Sequence, residues 1–269
     1  MTQAIQKKLN DSAFARWTAL ILVALTMFFG YMFVDVLSPL QNMLESTRGW
    51  SPTIFGLYGG SEFILNVCGF LLVAGIILDK MGVRFTGILS ASLMVLGAGI
   101  KFYGLSNYFY EGGFGYEFLS SFLTDIPASA KLACLGFMVF GCGTEMAGVT
   151  VSRAIVKWFT GKELALAMGL EMAIARLGVF AVFSLSPWVA NWGGDPSVAR
   201  PVAVVGLLLC IGLLTYIAFS VMDFKLDRQT EADTPIGETE EPFKVADLKN
   251  LFSSKTFLIV SALCVLYYS

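Results

Sequence analysis

Histidine is absent from all 269 residues of the chain. Imidazole is the commonest metal ligand and the side chain that titrates nearest neutral pH, so a zinc site or a histidine proton relay has little to build on. Five cysteines are present (Cys68, Cys134, Cys142, Cys210 and Cys264). None forms a C-x-x-C pair and all fall in apolar stretches, where reduced packing thiols are the expectation. Charge is also scarce, at 14% of residues, with a net charge of -2 and a pI near 5.3. A nucleic-acid partner calls for a basic face, which this balance does not supply. No nucleophile–base pair appears, so an enzyme is not expected, and neither is a cofactor or a metal. The glycine clusters Gly59-Gly60, Gly97-x-Gly99 and Gly141-x-Gly143 follow no strand-like run. They read as places of close helix approach, not as nucleotide-binding loops.

What the chain has in abundance is apolar sequence, 56% of residues, with a mean hydropathy of +0.72. It is arranged in long runs: Phe14 to Leu44, Pro52 to Leu78, Phe85 to Leu105, Leu132 to Phe159, Leu164 to Ala190 and Val198 to Met222. Each provides the roughly 20 residues that a helix needs to cross a bilayer. The first is too long for the 7–15-residue or so core of a secretory signal. Another run begins at Thr256. At about 1.5 Å per residue its stretch to Ser269 covers only about 20 Å of a hydrocarbon core about 30 Å thick. Single charges interrupt these runs: Asp35, Glu62, Glu145, Arg153, Glu171 and Arg176. A charge near the bilayer centre costs at least about 2.5–3.5 kcal/mol, so such residues face a cavity, a partner or a transport path.

Lysine and arginine set the orientation. With the N-terminus inside, Lys7, Lys8, Arg16, Lys80, Arg84, Lys157, Lys162, Lys225, Arg228, Lys244, Lys249 and Lys255 are cytoplasmic, against Arg48, Lys101, Lys131 and Arg200 opposite. The expected setting is multi-pass, in a bacterial inner membrane, with a cytoplasmic N-terminus. The outer connection, Asn107 to Ala130, is crowded with Tyr108, Phe109, Tyr110, Phe114, Tyr116, Phe118 and Phe122, as suits an interfacial flap. Residues 1–222 then form a six-helix bundle, 223–255 a cytoplasmic linker and 256–269 the start of a second bundle. Within the linker, Thr230 to Pro242 is acidic and flexible by composition, and Lys244 to Ser253 reads as a short amphipathic helix.

Two stretches carry a family resemblance. Gly75-Ile76-Ile77-Leu78-Asp79-Lys80-Met81-Gly82-Val83-Arg84 resembles the major facilitator superfamily signature G-x-L-a-D-[RK]-x-G-[RK]-[RK], between the second and third helices, where that family carries it. Val83 departs from it, standing where a second basic residue is usual. The segment from Ser152 to Gly169, with Arg153, Lys157-Trp158-Phe159 and Gly161-Lys162-Glu163, is followed by Arg176-Leu177-Gly178. With Glu145 it resembles the branch of lysosomal dipeptide transporters and their bacterial relatives. The resemblance implies an all-α integral membrane fold of twelve helices in two bundles, with the substrate site between the bundles at mid-membrane. This chain corresponds to the N-terminal bundle plus the start of a seventh helix, a truncated form of that fold, and its partners are a small solute, the bilayer and the second half-bundle.

Counting about 1.5 Å per residue from Gly161 brings Glu145 and Arg176 to equal depth near the membrane centre, and Arg153 and Glu171 to a shallower level. Glu171 and Arg176 are about 140° apart around their helix, so both cannot face one cavity. Glu145 and Arg176 are therefore assigned to substrate, with Tyr31, Asn66 and Thr144 as neutral lining. Arg153 and Glu171 are assigned to a cytoplasmic gate with Gly75, Asp79, Lys80, Gly82 and Arg84. An arginine fork suits a substrate carboxylate and Glu145 a substrate amine. Asp35 and Glu62, at similar depth and without a cation in this half, are the candidates for proton coupling. The local alternative bonds Asp35 to Tyr31 or Ser38, or pairs it with a cation in the missing half. Three functions fit: carriage of a short peptide or amino-acid-like zwitterion, proton-coupled carriage of organic anions or sugars, and a non-transporting membrane scaffold or partner subunit.

Overall fold

The computed structural model describes residues 8–231 and 253–268, with side chains over 8–230 and 253–263. Helices account for nearly all of it, and no strand occurs among the described residues. Most of the expected linker, including Lys244 to Asn250, lies outside the described residues. The chain divides into two units, residues 1–234 and 235–269.

Helix α1 spans Ala13–Val34 and starts at Ser12, whose hydroxyl accepts the Ala15 amide. It ends where the first apolar run continues. Ser38 Oγ donates to Asp35 Oδ1 at 2.9 Å, and Pro39 cannot continue an α-helical ladder. A separate short helix, α2 (Gln41–Arg48), follows, closed by Gly49 in the left-handed region at φ 69°. Helix α3 (Pro52–Leu65) is capped by Ser51 with proline in its first turn, where the missing amide costs nothing.

The chain then passes through a short π-helix, Asn66–Phe70, into α4, Leu71–Leu105. Gly69 (φ 108°) and Gly82 (φ 74°, ψ 174°) break this path. The 54-residue stretch from Pro52 to Leu105 is far too long for one crossing. Gly82 is the turn between two crossing arms, the second and third expected spans. Two short helices, α5 (Asn107–Tyr110) and α6 (Tyr116–Ser120), form the aromatic connection. Helices α7 (Ala128–Phe159), α8 (Leu164–Ala190) and α9 (Ala199–Glu231) complete the first unit. Among the described residues, five helical stretches are long and apolar enough to cross a membrane, one of them the folded Pro52–Leu105 stretch. The second unit carries α10 (Lys255–Tyr268).

Close approach of α4 and α7 organises the first unit. A methyl group on Gly97 would overlap the backbone of Gly136 and Phe140, and one on Gly141 would overlap the carbonyl of Glu62. Gly59, Gly60 and Gly99 have open space instead. Of the cysteines whose side chains are described, all four are free: Cys142 is buried, Cys134 and Cys210 partly so, and Cys68 is exposed beside Gly69.

Cations hold the aromatic connection down. Arg48 donates to the Leu105 carbonyl at 3.0 Å and to Asn107 at 2.5 Å, with its guanidinium 4.7 Å from the Tyr110 ring centre. Lys131 donates to the carbonyls of Leu119 and Phe122.

Candidate functional site

Tyr31, on α1, is the point on which the interior charges converge. The Arg176 guanidinium, from α8, stands over its ring at 5.2 Å from the centroid. The charges acting on the Tyr31 hydroxyl are Arg176, Glu145, Glu171 and Glu62, contributed by α8, α7, α8 and α3. Arg176 is exposed, while Glu145 and Tyr31 are half-buried. Among the described residues no ion pair joins Glu145 to Arg176. Asn66 lies one turn beyond Glu62 and donates to its carbonyl at 3.3 Å, and the Asn66 Oδ1 is buried without a hydrogen-bond partner. Thr144 spends its hydroxyl on the Phe140 carbonyl.

Glu171 is found with this interior group and not with Arg153. It is 6% exposed and its Oε1 has no hydrogen-bond partner. The 140° argument treats side chains as radial spokes. Glu171 is buried and Arg176 exposed, as that angle between them implies, yet both act on Tyr31.

At the Gly82 end of the bundle the charges are paired. Arg153 forms an ion pair with Asp79, and no ion pair joins it to Glu171 among the described residues. Arg84 meets Asp227 at 3.2 Å and Asp223 at 3.9 Å, and Lys157 meets the same two acids at 2.5 and 2.8 Å. Trp158 Nε1 donates to Asp223 at 2.9 Å, and Tyr216 donates to the Val83 carbonyl at 3.0 Å. Gly75 is half-buried and Lys80 exposed. Asp223, assigned from sequence to the linker, is 1% exposed on a helix that runs past Met222 to Glu231. Its signal was the spacing of Tyr216, Ser220, Asp223 and Asp227 along one helical face.

A second set of contacts ties down the segment before α1. Arg16 pairs with Glu163 at 3.1 Å and donates to the carbonyls of Asn10 and Asp11, while Lys162 pairs with Asp11 at 2.9 Å. The hydrogen bond from Lys162, helped by the Lys8 amide, holds the Asp11 carboxyl below its ordinary value. The Glu163 carboxyl is held low by its own backbone amide and by Arg16.

Lys101 corrects the assumption that Asp35 and Glu62 lack a cation in this half. Counted from sequence among the outer charges, it is 0% exposed inside the bundle. Its ammonium lies 4.4 Å from the Phe33 ring centre, 4.5 Å from Phe137 and 5.0 Å from Tyr58. The charges that act on it are Glu62 and Asp35. Its position one turn after Gly97, on the face that meets Gly136, was the available sign.

Apolar helices around an ionisable interior, with ion pairs closing the Gly82 end, define a polytopic membrane protein of the carrier type of fold. The chain belongs to the Major Facilitator Superfamily, whose family model matches residues 20–269. The lysosomal dipeptide transporter MFSD1 of Gallus gallus is 34% identical over 140 residues, covering 50% of this chain and 31% of that protein. Its counterpart in Pongo abelii is 26% identical over 265 residues, covering 94% of this chain and 51% of the relative. The Homo sapiens protein is 30% identical over 140 residues, 49% of this chain and 29% of its own. The chain thus spans about half the length, or less, of these relatives.

Proposed function

We propose that this chain is part of an alternating-access carrier for a small polar solute, best matched by a short peptide or an amino-acid-like zwitterion. Arg176 takes the solute carboxylate, Glu145 takes the amine, and Tyr31 and Asn66 form the wall between them. The observation that carries this reading is the exposed Arg176 fork standing over Tyr31 with Glu145 in the same field. The relatives named dipeptide transporters support the same class of cargo. Arg153, Asp79 and Arg84 act as the gate at the cytoplasmic end. Uptake of a labelled dipeptide into vesicles carrying the protein tests the assignment. Arg176→Lys keeps the charge but loses the fork, and should lower uptake at least tenfold. Wild-type uptake in both Arg176→Lys and Glu145→Gln would refute the pair.

Proton coupling through Asp35 and Glu62 is the second reading, favoured because two acids act on a single buried cation. The same assay decides it: coupling requires dipeptide accumulation to follow an imposed pH gradient, and indifference to the gradient leaves a facilitative carrier. The proposed setting is a bacterial inner membrane with a cytoplasmic N-terminus, supported by the lysine and arginine asymmetry. A single cysteine at Glu117 in a cysteine-free background should then react with an impermeant reagent added outside intact cells. Labelling only after the membrane is opened would reverse the topology.

A further inference from the structure

Lys101 is the most deeply buried cation of the bundle and serves no hydrogen bond. Its Nζ is solvent-free and unpartnered, enclosed by the rings of Phe33, Tyr58 and Phe137 from α1, α3 and α7. Aromatic faces attract an ammonium, yet they do not neutralise it. Two acids lie next along the helices that carry the cage. Glu62 follows Tyr58 by one turn on the same face of α3, and Asp35 follows Phe33 just past the end of α1. Both act on Lys101, and Asp35 in turn accepts from Ser38. Tyr58 and Cys134 are the other titratable groups beside the cage, from α3 and α7, and Glu145 of α7 acts on Glu62.

We infer that Lys101, Glu62 and Asp35 form one charge triad around the buried Lys101 ammonium, in which Lys101 is the positioning residue for the two acids. The inference deepens the transport reading: a proton or a cargo ammonium arriving at these acids competes with a cation already tethered there. In a low-dielectric interior, charges several ångströms apart stay strongly coupled. Removing Lys101 or Glu62 alone then leaves the other poorly compensated, whereas removing both leaves only the half-buried Asp35, which keeps its Ser38 hydrogen bond.

The test is a double-mutant cycle in thermal unfolding of the purified full chain in detergent, which does not depend on any solute being transported. Lys101→Met should lower the melting midpoint by roughly 5–10 °C, and so should Glu62→Gln. The combined Lys101→Met/Glu62→Gln protein should recover to within about 3 °C of the parent. If Lys101→Met yields no folded protein, recovery of a monodisperse peak on adding Glu62→Gln supports the triad equally. Additive losses, or failure of both variants to fold, overturn it and leave Lys101 as a packing residue. Absence of dipeptide uptake by the parent protein, with the cycle intact, would count against the transport reading alone.

Discussion

At the Gly82 end of the bundle, Asp79, Asp223, Asp227, Glu163 and Asp11 each face a cation within ion-pair distance. Further into the membrane, Glu62, Glu145, Glu171 and Arg176 share a field but form no ion pair among the described residues. The same side-chain types serve two purposes. Paired charges at the rim fix how helix ends meet, and breaking one strands its partner. Glu145 and Arg176, which meet no ion-pair partner among the described residues, contribute little to holding helices together, and that would leave them available to a ligand that brings the opposite charge.

The comparison breaks most readily at Asp223. Asp223→Ala strands the Trp158 indole and leaves Lys157 and Arg84 to share Asp227 alone, and should destabilise the protein by about 3 kcal/mol in detergent unfolding. A loss below about 0.5 kcal/mol would mean that the rim network is ornamental. Arg176→Lys sharpens the other side: the exposed Arg176 should leave the melting midpoint nearly unchanged while uptake falls. A joint fall in stability and uptake would erase the distinction between the two layers.

The smallest effect belongs to the N-terminal latch. Asp11 and Glu163 have folded-state values below their ordinary 3.8 and 4.5. Their contribution is therefore complete above those values and disappears as pH falls through the lower folded ones. Both side chains are about half exposed, at 43% and 51%, so the effect should be local. Faster hydrogen exchange at the Leu9 and Asp11 amides near pH 3, relative to the core of α7 and corrected for intrinsic rates, is the expected signature. Unchanged protection would assign the latch to the Arg16 bonds with carbonyls alone.

The membrane fold was legible because its signal is collective: long apolar runs and a motif whose Gly82 makes the turn it suggested. The site was legible only in part. Arg176 and Glu145 stood out as charges in apolar surroundings, and the structure puts both near Tyr31. Lys101 and Asp223 were missed for one reason. Each lies near the end of an apolar run, where sequence offers a loop as the cheaper home for a charge, and only the packing of neighbouring helices decides otherwise. Glu171 was misjudged because depth and angle describe where a Cα sits and not which partner the side chains choose: Arg153 pairs with Asp79 instead. The split of the first run at Asp35 turned on one local hydrogen bond and a proline, a signal outweighed by hydrophobicity over that window.

Gly69 breaks the path between Glu62 and Asp79 partway along that crossing. From Gly69 to Asp79 is about 15 Å of helix. On a lever of that length, a bend of about 10° at the glycine carries the Asp79 carboxylate sideways by about 2.5 Å. An ion pair such as Asp79–Arg153 is made or lost over that distance. A rotation of about 10° at one backbone joint, about two turns beyond Glu62, would thereby be converted into contact or separation at the far rim.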